Sequence, residues 1–90
     1  MLRVELVPDL AHCIETVAKR EYNETVRQLL AAGEGQEELR ERIELLRVFL
    51  ERMDFKKLRR ESEKHLVQGR TVRFVVYLAD GVPKYDMMVS

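Results

Sequence analysis

The chain has 90 residues, 46% hydrophobic and 36% charged, with sixteen Lys and Arg balancing sixteen Asp and Glu. That length fits one domain spanning 1–90 and excludes two. A formal net charge of zero excludes a global pull toward nucleic acid or an anionic membrane. Cys13 is the one cysteine, so no disulfide can form within the chain. A core this small usually leans on disulfides, a metal or self-association, and self-association is the option favoured here. The start Met1-Leu2-Arg3-Val4-Glu5 has no apolar signal region, and the apolar runs are only a few residues long. A cytoplasmic protein with no membrane partner is therefore expected.

Leu2, Val4 and Leu6 alternate with Arg3 and Glu5, the period of a half-buried strand. Pro8 ends it, and Asp9 is the expected N-cap of a first helix over about 10–32. The apolar stripe of that helix is Leu10, Ile14, Val17, Ala18, Tyr22, Val26, Leu29 and Leu30. Gly33 is a natural residue just past its end. The short turn through Glu34-Gly35 makes the next helix antiparallel to the first.

The second helix starts near Gln36, with Glu37 and Glu38 at the positive end of its dipole. Leu39, Ile43, Leu46, Leu50 and Met53 form its seam, and Leu45 and Phe49 widen that face enough for two partners, for example the first helix and the sheet. At Asp54 the pattern changes. Lys57, Arg60 and Lys64 would continue the seam, while Phe55, Leu58 and Leu66 point to another side of the axis. Either the helix bends and restarts there or its second half faces another surface. Asp54 suits an N-cap, with Met53 and Leu58 at the flanking staple positions.

Asp80-Gly81 lies between two β-rich runs, the signature of a type I′ hairpin. That turn sets Leu78 opposite Pro83, Val76 opposite Tyr85, Phe74 opposite Met87 and Val72 opposite Val89. The expected fold is a two-layer α+β domain of order β-α-α-β-β. Its three-stranded antiparallel sheet has helices packed on one face, with a kink or break of the second helix near Asp54 as one of the two alternatives there.

Two groups of residues are candidate sites. Residues 54–70 hold six basic against three acidic side chains, an excess of three. Lys56, Lys57, Arg59, Arg60, Lys64 and Arg70, extended by Arg73, could neutralise phosphates. The competing reading is a solvated face carrying local ion pairs. The broad apolar face of the second helix, at Ile43, Leu46, Phe49 and Leu50, is the candidate contact between two copies, with the outer sheet face as the other option.

No catalytic constellation, metal site or cofactor is expected. His12 and Cys13 are neighbours that diverge on a helix, and His65 is remote, so three or four ligands do not converge. Cys13 reads as a small residue on the flank of the stripe. The abundant Glu side chains of the second helix sit at ion-pair spacing from Arg40, Arg42 and Arg47. Gly33 and Gly35 lack the Lys and Ser/Thr of a phosphate loop.

The order strand-helix-helix-strand-strand is similar to that of small ribosome-dependent endonuclease toxins of type II toxin–antitoxin systems. The resemblance is topological, covers most of the chain and carries no motif. It implies an RNA partner. This chain departs from the toxins at Asp86-Met87-Met88-Val89-Ser90, where they continue into a further strand and a basic or aromatic stretch. Taken together, the sequence favours a non-enzymatic homodimeric interaction or regulatory module. A nucleic-acid-binding protein that uses the basic segment 54–70 is the alternative.

Overall fold

In the computed structural model, which describes residues 1–90, the chain runs β1 (Val4–Leu6), α1 (Ile14–Ala32), α2 (Glu37–Arg52), α3 (Phe55–Leu66), β2 (Val72–Ala79) and β3 (Val82–Val89). The strands form one antiparallel sheet in the order β1-β2-β3. Helices cover one face of it, giving a two-layer α+β domain. No helix is long and apolar enough to cross a membrane.

The hairpin has the register its turn dictates. Leu78 pairs with Pro83, Val76 with Tyr85, Phe74 with Met87 and Val72 with Val89. Asp80 and Gly81 both take positive φ, 53° and 75°, as a type I′ turn requires. β1 adds to the other side of β2, with Val4 opposite Val76 and Leu6 opposite Phe74.

Alternation then sorts the sheet into two faces. Val4, Leu6, Val72, Phe74 and Val76 join Ile14, Ala18, Leu45, Leu46, Phe49 and Leu58 in one buried cluster. The opposite face has no covering layer. There Arg3 lies over the Tyr77 ring at 4.7 Å, Arg73 reaches Glu5 at 3.7 Å, and Val82 and Met88 are each 39% exposed.

Two expectations need correction. The first helix begins at Ile14, not near Leu10, and its cap position is Cys13. Asp9 spends its carboxylate on a separate turn, accepting from the Ala11 amide at 2.9 Å and the His12 amide at 2.7 Å. Backbone bonds between Asp9 and His12 in both directions close that turn, so Leu10 is left exposed. Leu30 is exposed too, because the last turns of α1 have no sheet beneath them. The choice left open at Asp54 resolves as a restart. α2 stops at Arg52, Met53 is extended, and the Asp54 carboxylate accepts from the Lys57 amide to begin α3.

The second correction concerns the contact between copies, since α2 turns its broad face to the two partners named for it, α1 and the sheet. That face is consumed within the chain, against α1 on one side and β2 and β3 on the other. Leu46 and Phe49 are fully buried. These two candidates for a contact between copies have no surface left to offer, while Ile43 and Leu50 stay half-buried.

Candidate functional site

The helix α3 is held to the core by Leu58, fully buried, and by Phe55 and Leu66 at its two ends. The Phe55 ring meets Phe49 edge-on at 5.4 Å. Ser62 is buried on the same side, its hydroxyl donating to the Arg59 carbonyl at 3.0 Å. With that side turned inward, helical geometry directs Lys56, Lys57, Arg60 and Lys64 to solvent. None of these four forms an ion pair within the chain. Seven other Lys and Arg residues do: Arg3, Lys19, Arg27, Arg42, Arg47, Arg59 and Arg73.

The remaining candidates divide. Arg59 flanks the same face but holds Glu63 at 2.7 Å. Arg70 lies beyond the helix, 3.2 Å from the His65 ring nitrogen. Arg73 projects from the uncovered face of the sheet toward Glu5, with the sheet itself between it and α3. The structure therefore gathers Lys56, Lys57, Arg60 and Lys64, with Arg59 at their flank, and separates Arg73 from them.

One neighbourhood escaped the sequence. Cys13 is half-buried at the N-terminal end of α1, in a cleft it shares with Pro8, Thr16, Arg59, Ser62 and Leu66. Its Sγ lies 3.4 Å from the Thr16 hydroxyl. The Thr16 side chain and backbone amide hold the thiol below its ordinary pKa, opposed by partial burial and helped by the Glu15 amide and the Arg59 charge. The only sequence signal was the Cys13-x-x-Thr16 spacing, and it becomes visible only once the helix start is placed at Ile14.

The carboxylates of α2 are ion-pair partners. Arg47 bridges Glu44 and Glu51, which raises the Arg47 pKa and lowers that of Glu44. Between layers, the Tyr85 hydroxyl donates to Glu61 at 3.2 Å. Burial first, then the Glu61 charge and hydrogen bond, push the Tyr85 phenol above its usual value near 10. Neither histidine faces a cluster of ligands: His12 pairs with Asp9, and His65 with Arg70.

A family model matches residues 2–90 of the chain. An uncharacterised protein of Archaeoglobus fulgidus is 47% identical over 62 residues, which cover 66% of this chain and 73% of the relative. No solved structure matches.

Proposed function

The chain belongs to that uncharacterised family, and on the geometry above we propose that it is a non-enzymatic binding module whose α3 face takes the phosphate backbone of a nucleic acid. One observation carries this reading. Lys56, Lys57, Arg60 and Lys64 share the outward side of one helix, and none of them holds a carboxylate of the chain at ion-pair distance. Cations already paired at home gain little from a phosphate. Unpaired ones release condensed counterions when they bind. The one aromatic on this helix, Phe55, is engaged with Phe49, so bases find no stacking platform there. Binding is then electrostatic and indifferent to sequence.

Fluorescence anisotropy with labelled RNA and DNA across a salt series tests it. Contacts to about four phosphates give a log–log slope of roughly −3 to −4 against salt. Reversing charge together at Lys57, Arg60 and Lys64 should abolish binding and leave stability nearly unchanged. No binding at low salt would end this reading.

A second reading, that the protein works as a homodimer, is favoured by a separate observation. The eight-residue strand β3 borders only β2 in the sheet, so no strand pairs with its other edge. Open edges of this length recruit another strand unless something covers them. Sedimentation velocity over a range of concentrations tests it directly.

A further inference from the structure

We propose that β3 pairs antiparallel with β3 of a second copy, about a two-fold axis through Tyr85, to make one continuous six-stranded sheet. This rests on the homodimer reading and names its surface.

The backbone sets which groups are free. Thr71 and Ser90 exchange two backbone hydrogen bonds, at 2.9 and 3.0 Å. Bonded and non-bonded positions alternate along an antiparallel ladder. The even-numbered residues of β3 therefore direct their amides and carbonyls to β2. Pro83, Tyr85, Met87 and Val89 direct theirs to the open edge. Pro83 fits this phase, because the N–H it lacks would have pointed away from β2. A second antiparallel strand on that edge must place odd-numbered residues opposite odd-numbered ones.

Side chains choose among the registers allowed. On the uncovered face β3 presents Val82, Lys84, Asp86 and Met88. A two-fold through Tyr85 sets Lys84 opposite Asp86 of the second copy, and Val82 opposite its Met88. There Lys84 joins the exposed pair that Asp86 makes with Arg3 of its own chain at 3.6 Å. Each contact occurs twice by symmetry. Two opposite charges meet, and the exposed apolar side chains at the ends of the row cover each other. A two-fold through Met87 would set Asp86 against Met88 instead, and Lys84 against Ser90. A two-fold through Pro83 would set Asp86 against Asp80, like charge on like. A two-fold through Lys84 or through Asp86, which the backbone allows equally, would set that charge against itself. Among these registers the strand is therefore self-complementary only about Tyr85.

In that register each Tyr85 amide donates to the Tyr85 carbonyl of the other copy, and each Met87 amide to the other Pro83 carbonyl. Lys84 and Asp86 then fall at a non-hydrogen-bonded pair, where facing side chains approach most closely. The axis is perpendicular to the sheet, so both helical layers lie on the same side. Tyr85 donates to Glu61 of α3, so that interlayer contact lies beside the shared seam.

Charge exchange on the full chain tests the register. In sedimentation velocity at micromolar concentrations the wild-type chain should dimerise. Lys84→Glu and Asp86→Lys should each weaken the dimer roughly tenfold, since like charges then face each other at two symmetric places. The double variant should restore affinity to within about threefold of the wild type. A chain that is monomeric throughout overturns both the homodimer reading and this inference. A dimer that neither single change weakens, or that the double change does not rescue, leaves the homodimer reading standing and overturns the β3 pairing. Should a charge variant fail to fold, cross-linking decides. A Cys13→Ser chain carrying Lys84→Cys and Asp86→Cys should form an intermolecular disulfide under mild oxidation, and failure to do so overturns the pairing.

Discussion

The Asp54 carboxylate accepts a hydrogen bond from the Lys57 backbone amide at 3.3 Å, and this contact divides two helices across a stretch with no glycine or proline. A continuous helix would have carried Lys57, Arg60 and Lys64 along the line of Leu46, Leu50 and Met53 into the core. The break at Met53 turns the axis, so Leu58 faces inward and the cations face outward. Asp54→Ala should cost about 1 kcal/mol in urea denaturation, and Asp54→Ser should recover most of it. Equal losses for Ala and Ser would show that the carboxylate is not acting as a cap.

The burial of α2 predicts unequal effects along its seam. Leu46→Ala should destabilise the fold by about 2–5 kcal/mol, because Leu46 is fully buried and its removal leaves a cavity. Leu50→Ala should cost only about 1 kcal/mol, since Leu50 is already partly in water. Denaturant midpoints of the two variants check the order, and equal losses would contradict it.

Tyr85 predicts a loss of stability at alkaline pH. Its folded pKa lies above the ordinary value near 10, so the fold favours the neutral phenol. The resulting stabilisation is fully present below the unfolded pKa and is lost as pH rises through the folded one. Glu61→Gln should move the Tyr85 titration, followed by NMR of the ring, back toward the ordinary value. It should stop short of it, because burial, the largest single cause, remains. A Tyr85 titration unmoved by this change would show that Glu61 contributes nothing.

Cys13 should alkylate faster than an ordinary cysteine near neutral pH, because its pKa is lowered and part of it is open to solvent. Thr16→Val removes the largest cause, the side-chain hydrogen bond, and should shift the pH–rate profile of iodoacetamide alkylation upward. Arg59→Gln removes only the smallest and should shift it less. The reverse order would mean that the guanidinium, not the helix start, controls the thiol.

Local chemistry was legible where one residue type settles one geometry. Asp80-Gly81 determined the turn, and with it every cross-strand pair of the hairpin. Asp54 was legible as a cap, and it favoured a restart over a second helical face without settling the choice. Asp9 misled, because a carboxylate serves the first amides offered to it, and those belonged to a turn and not to a helix. The candidate site was legible as a list of cations. Which of them remain unpaired was not, since Arg73 finds Glu5 on a neighbouring strand while Lys56, Lys57, Arg60 and Lys64 find no carboxylate.

By itself the sequence determined the three strands, the antiparallel hairpin and its register, because turn conformation and hydrophobic period are properties of neighbouring residues. Only the tertiary structure decided which apolar face the fold itself would use. α2 could have faced another chain as well as its own sheet, and packing against α1, β2 and β3 buried Leu46 and Phe49. What that packing left open, the edge of β3 and the outward side of α3, depends on the arrangement of the layers. Contacts between residues far apart in the chain set that arrangement, and a one-dimensional pattern does not record them.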